Sequence, residues 1–175
     1  MKKVLSIMAI AAVMLFAGKA TAQVTIHAGY QLSSIQEDYP IFPYDNSASG
    51  FYLGADYDIP FQNPNFGVAP GIEFSYFKDM IDIRVPILFN WKMRIGTMNF
   101  GIFAGPVLNI GVDGDLYKDH GTNKTSVAVD GGIWLGYKMV RVEAGYSYDI
   151  LDRETNLDNV SVHYNKLFVG LGFTL

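Results

Sequence analysis

The sequence predicts an all-β chain: an eight-stranded antiparallel transmembrane β-barrel preceded by a cleavable signal peptide. Three observations carry that prediction. An apolar leader opens the chain, apolar residues recur at every second position through nearly all of the remainder, and the opposite face mixes charges with glycine.

The leader begins with Met1, Lys2 and Lys3, continues through Val4 to Ala17 with Ser6 as its one polar break, and ends in Ala20-Thr21-Ala22 before Gln23. A positive start, a short apolar run and a small-x-small site make residues 1–22 a secretory signal peptide and residues 23–175 the mature barrel domain. The run falls short of the roughly 20 residues a spanning helix needs. Its removal takes Lys2, Lys3 and Lys19 and leaves the exported chain more acidic. No later segment is long and apolar enough to span as a helix, so any membrane crossing falls to a closed barrel.

Composition narrows the chemistry. With 13 basic against 17 acidic residues the formal charge is −4, and no stretch gathers the basic patch that nucleic acid requires. The absence of cysteine excludes a CxxC redox pair, a thiolate zinc site, a cysteine nucleophile and a lipidated cysteine.

Period-two alternation places the strands at about 24–32, 50–59, 66–76, 81–93, 97–110, 125–137, 140–150 and in the last segment. From 81 to 93 the odd positions are Ile81, Ile83, Val85, Ile87, Phe89, Trp91 and Met93, against Asp82, Arg84, Asn90 and Lys92. From 140 to 150, Val140, Val142, Ala144, Tyr146, Tyr148 and Ile150 face away from Arg141, Glu143, Gly145, Ser147 and Asp149. At the end, Leu167, Val169, Leu171, Phe173 and Leu175 oppose Lys166, Phe168, Gly170, Gly172 and Thr174. Longer polar loops at 33–49, 111–124 and 151–162 alternate with short links near 60–65, 94–96 and 138–139, the asymmetry of outer-membrane barrels; the short link near Phe77 to Met80 is an exception.

A soluble lipocalin-like barrel would also alternate, so the contents of each face decide. Gly54, Gly71, Gly101, Gly105, Gly132, Gly136, Gly145, Gly170 and Gly172 share a face with charged residues, which suits the crowded interior of an eight-stranded barrel. The bulky face then meets lipid. Tyr57, Phe66, Phe89, Trp91, Phe100, Tyr137 and Phe173 fall toward one rim, and Tyr30, Phe51, Phe74, Tyr76, Tyr146 and Tyr148 toward the other, forming two aromatic girdles. Interior charges would be Asp56, Asp58, Glu73, Asp82, Arg84, Lys92, Asp130, Lys138, Arg141, Glu143 and Asp149. A turn on Lys78 and Asp79 sets Glu73 opposite Arg84 as an interior ion pair of structural character. Pro70, Pro86 and Pro106 interrupt strands of a barrel that has no edge, and call for bulges or shifted strand ends.

On these residues the chain resembles the small outer-membrane β-barrel family, PorT-like in wording and close in size to the OmpX and OmpA barrel domains. The matching stretches are Ile81-Asp82-Ile83-Arg84-Val85-Pro86-Ile87-Leu88-Phe89, Gly101-Ile102-Phe103-Ala104-Gly105-Pro106 and Ala144-Gly145-Tyr146-Ser147-Tyr148, which make Pro86 and Pro106 family features. The closing Gly170-Leu171-Gly172-Phe173-Thr174-Leu175 looks like the final-strand signal read by the barrel-assembly machinery, carried by Gly170, Phe173 and Leu175. It departs from the usual pattern in ending on Leu175 rather than an aromatic, and in having Phe168 where a polar residue is common. The resemblance implies the outer membrane of a Gram-negative cell, with its lipid and the assembly machinery as partners.

Candidate chemistry is sparse. His27 lies in the first strand, His120 in an outer loop and His163 near the start of the last strand. Ser161 and His163 share parity and Glu154 comes from the preceding loop, but the spacing matches no catalytic motif. Asp113, Asp115 and Asp119 do not reproduce a calcium loop. Tyr39, Ile41, Phe42 and Tyr44, set around Pro40 and Pro43, offer either a contact surface for an extracellular ligand or packing across the barrel mouth. The expectation is a non-enzymatic barrel without cofactor or metal, structural, adhesive or loop-displaying and without a wide pore. The alternatives are a lipid-modifying barrel enzyme and a soluble secreted binding barrel.

Overall fold

The computed structural model describes residues 23–38, 44–77, 80–113, 125–150, 153–154 and 161–175. The leader, its cleavage site, His120, Asp115, Asp119 and the Tyr39 to Phe42 stretch lie outside the described residues.

The strands are β1 (Gln23–Asp38), β2 (Tyr44–Pro60), β3 (Phe66–Phe77), β4 (Met80–Ile95), β5 (Met98–Asp113), β6 (Thr125–Tyr137), β7 (Val140–Asp149), β8 (Arg153–Glu154) and β9 (Ser161–Thr174). Each long strand pairs antiparallel with its sequence neighbour, β7 pairs with β9, and β9 returns to β1 from Thr25 opposite Thr174 out to Asp38 opposite Ser161. Eight long strands thus close an all-β antiparallel barrel, and the two-residue β8 adds to the outer part of β9. Closure satisfies the backbone within the sheet, the condition for strands to cross lipid.

The outer links are shorter than the alternation suggested. β1 and β2 stay paired as far as Glu37 opposite Tyr44, β5 runs to Asp113, and β8 and the start of β9 fall within 151–162. Sequence periodicity missed these extensions because an apolar face is needed only inside the bilayer; beyond it the backbone ladder continues on Ser33, Ser34, Gln36 and Glu37. At the other end the turns are tight. Gly96 and Lys138 take positive φ, 62° and 55°, in two-residue hairpins closed by Ile95 opposite Met98 and Tyr137 opposite Val140. Lys138 is therefore an exposed turn residue, correcting its interior assignment; its Nζ lies 5.4 Å over the Tyr137 ring.

The bulky face points outward. Phe51, Phe89 and Leu171 are 63%, 58% and 61% exposed, the outward apolar surface that a barrel spanning lipid presents. Of the thirteen girdle aromatics, Tyr57, Trp91 and Phe100 are half-buried and the other ten exposed. Tyr30 stands opposite Phe51 and Phe51 opposite Tyr76 on the outer side; Phe66 stands opposite Trp91, whose ring meets Phe100 edge-on, toward the turn side. Gly170 is buried in the wall, while Phe173 and Leu175 face outward beside β1 and β7.

The prolines are absorbed without the expected bulges. The ladders miss pairings around Pro70 between β2 and β3, around Pro86 between β3 and β4, and around Pro106 between β4 and β5, yet each register resumes unshifted beyond the gap. A missing N–H removes a hydrogen bond but inserts no residue. The register shift that does occur is at Ile81/Asp82, near the outer end of β4. Pro70 lies opposite Ile87 on the outer face, whereas Pro86 is buried inside.

Candidate functional site: the filled barrel interior

Inward positions carry two polar networks separated by an aromatic layer. Tyr52, Phe103 and Phe168 form the layer, with Leu88 and Trp134 packed against it. Tyr52 meets Phe168 edge-on at 5.8 Å and Phe103 stacks on Phe168 at 6.2 Å between ring centres. The glycines of this face make room for these rings. A Cβ at Gly29 would lie 2.5 Å from Tyr52 Cε1, one at Gly132 2.5 Å from Phe103 Cζ, and one at Gly145 2.9 Å from Phe168 Cε2. The indole of Trp134 likewise lies across Gly101. Aromatic and glycine are thus paired across the lumen, a signal present in the sequence as large rings on an otherwise small face.

Arg84 is the hub on the outer side of the layer. Its Nη1 donates to Glu73 Oε1 at 2.6 Å, its Nη2 to both Asp130 oxygens at 2.8 Å and to Ser147 Oγ at 3.1 Å, and its Nε to Asn109 Oδ1 at 3.0 Å. Asn109 in turn donates to Ser126 Oγ at 3.1 Å and Asp149 Oδ1 at 3.2 Å. One guanidinium therefore ties β3, β5, β6 and β7 to β4 in a charge-assisted network from which Arg84 is only 2% exposed. Near the outer mouth Lys166 Nζ lies 3.7 Å from Asp82 Oδ2 and 4.9 Å over the Phe77 ring, and Gln31 donates to Ser75 Oγ at 2.7 Å.

On the turn side Glu143 is the acceptor at the centre. Its Oε1 lies 2.9 Å from His27 Nδ1 and accepts from Tyr52 Oη at 2.9 Å; its Oε2 accepts from Arg141 Nε at 3.0 Å. Arg141 Nη2 also donates to Asp56 Oδ2 at 2.7 Å, and Lys92 pairs with Asp58. The Tyr52 hydroxyl thus anchors the aromatic layer to the ionic network below it. A small, partly open cavity of about 30 Å³ lies between the two networks, bordered by His27, Arg141 and Glu143 of one, Glu73 and Asp130 of the other, and Phe168 of the layer, with room for about one or two waters.

Of the residues singled out in the sequence, Glu73 and Arg84 are brought together. His27, Tyr52 and Phe103 were not singled out as interior residues, although each lies on the inward parity of its strand; Lys166 and Phe168, assigned to the inward face by parity, were given no partners there. The β8–β9 register sets Glu154 opposite Ser161, with His163 two residues further along β9. Asp113 ends β5.

No family model matches this chain, and no curated protein does. Solved structures do. The outer membrane enzyme PagL superposes with a TM-score of 0.57 at 11% identity, covering 82% of this chain and 98% of its own. The attachment invasion locus protein Ail of Yersinia pestis, in complex with the heparin analogue sucrose octasulfate, gives 0.50 at 18% identity over 88% and 99% of the two chains. The outer membrane protein OprG from Pseudomonas aeruginosa gives 0.50 at 13% identity over 90% and 98%. Together with the outward apolar band and the filled lumen, these likenesses establish that the chain has the fold of the small, eight-stranded outer-membrane β-barrels.

Proposed function

We propose that the chain is an integral outer-membrane barrel of structural or adhesive type: a stable, non-conducting rim in lipid that holds its outer segments at the cell surface. The observation that carries this reading is the lumen itself, closed by the Tyr52, Phe103 and Phe168 layer and cross-linked on both sides by charge-assisted hydrogen bonds. Such a core maintains a wall and leaves no wide aqueous path. The long β1–β2 ladder, which continues past the upper girdle, supports a display role, with the Tyr39 to Tyr44 stretch as the contact surface for an extracellular ligand. Removal of residues 1–22, insertion by the barrel-assembly machinery through Gly170, Phe173 and Leu175, and residence in the outer membrane of a Gram-negative cell belong to the same proposal. The finer kinship, with PorT-like barrels, rests on the three matching stretches.

The test is migration of the membrane-isolated protein with and without boiling, combined with conductance in planar bilayers. A compact band that shifts on boiling and a bilayer that stays silent support the proposal; a water-soluble protein, or steady channels of porin size, would overturn it.

A second reading is supported by one observation, the placement of Glu154 opposite Ser161 close to His163 in a chain that superposes on PagL. It makes the barrel a lipid-modifying enzyme. Release of acyl chains from outer-membrane lipid by the wild type, abolished in Ser161→Ala, would favour it over the display role.

A further inference from the structure

The mouth on the turn side contains two adjoining depressions, of about 570 and 270 Å³, which share Gln23, Lys92, Asn99, Trp134 and Lys138 along their walls and so form one open vestibule. The larger is bordered by Lys92, Arg94 and Lys138 and by no carboxylate; the smaller adds Arg141, Asp58 and the terminal residue Leu175. Two of these four cations are already committed: Lys92 pairs with Asp58, and Arg141 with Asp56 and Glu143. Arg94 and Lys138 meet no carboxylate among the described residues. Positive charge is thus concentrated on the larger depression of an otherwise acidic protein, in a concavity within the size range of small-ligand sites.

The surroundings suit an anion. Asn65 and Asn99 border the depression with side-chain amides that can donate, and Lys138 is held at the rim by its positive-φ turn. The Trp134 indole, fixed over Gly101 and standing opposite it in the ladder, borders both depressions. Tyr137 lines the larger one and also faces lipid at 49% exposure, so the site adjoins the headgroup level of the bilayer.

We propose that this vestibule binds a phosphate group through Arg94 and Lys138, either as a free anion or as the headgroup of an anionic phospholipid. The guanidinium supplies a planar pair of donors and the ammonium a point charge, the combination that phosphate oxygens accept well.

The test uses the protein isolated from membranes with Trp91→Phe, which leaves Trp134 as the sole tryptophan of the exported chain, reconstituted in lipid nanodiscs. In zwitterionic discs, inorganic phosphate is titrated at constant ionic strength against chloride; in parallel, Trp134 emission is compared between zwitterionic discs and discs containing phosphatidylglycerol. A saturable phosphate-specific change identifies a free anion, and a change seen only with phosphatidylglycerol identifies the headgroup. Arg94→Gln with Lys138→Gln should weaken either response by about tenfold or more, since each removes a charge-assisted contact. Both side chains lie outside the lumen networks, and an unchanged heat-modifiable band verifies folding; Lys138→Glu alone provides a second variant. No Trp134 response in either arm, or a response of equal strength in the variants, would overturn the proposal.

Discussion

Arg84→Met is the most informative single perturbation of this barrel. It keeps the length and much of the volume of the side chain but removes the cation on which Glu73 and Asp130 converge, two carboxylates that are 7% and 4% exposed. The side-chain oxygens of Asn109 and Ser147 lose a donor in the same step. Removing one partner of a buried ion pair costs about 3–5 kcal/mol, because the remaining charge stays in a low-dielectric interior without compensation. Here two carboxylates are stranded, so the loss should reach at least that range. In urea unfolding from phospholipid vesicles, a slope of about 2 kcal/mol/M turns this into a midpoint lowered by about 2 M. The companion variant is decisive. Arg84→Met combined with Glu73→Gln and Asp130→Asn removes the stranded charges and should recover most of the loss, as replacement of whole buried ionic clusters often does. A single variant within about 0.3 M of the wild type, or a triple variant no better than the single, would refute the claim that Arg84 organises the outer half of the lumen.

Three further outcomes follow from the same geometry. Ile133→Arg, midway along the lipid-facing side of β6, should cost about 2–4 kcal/mol, whereas Met98→Lys at the turn-side rim should cost about 0–1, both read by unfolding in vesicles; equal costs would contradict the assigned membrane span. Gly132→Ala should impair folding into detergent, because its Cβ would sit 2.5 Å from both Ala144 O and Phe103 Cζ, while Gly131→Ala, with its nearest neighbour at 3.9 Å, should fold like the wild type; the heat-modifiable band reports both. Phe168→Ala should destabilise by about 3–5 kcal/mol through the cavity left beside Tyr52 and Phe103, and an effect under about 1 kcal/mol would show that the layer is not packed as described.

The sequence by itself determined the class of fold, because strand periodicity is local. In a closed barrel every inward residue is two positions from the next, so Asp82, Arg84, Lys166 and Phe168 could be assigned a face from parity alone. The pairing of Glu73 with Arg84 was legible for a related reason: a short connection fixes the β3–β4 register by counting outward from the turn. Lys138 was misplaced since the same count cannot tell the last strand position from a turn residue. The outer extensions of β1 and β2 were hidden because apolar alternation stops where lipid stops, while backbone pairing does not.

Tertiary structure decided everything that depends on closure. Only when β9 meets β1 does His27 come within 2.9 Å of Glu143, 116 positions away, and only across the lumen does Arg84 reach Asp130 and Ser147. Closure also determined that Tyr52, Phe103 and Phe168 meet in one layer and that the cations of separate hairpins gather at one mouth. Sequence spacing governs contacts within a strand or hairpin, whereas contacts across a barrel depend on strand number, tilt and stagger, which belong to the sheet as a whole.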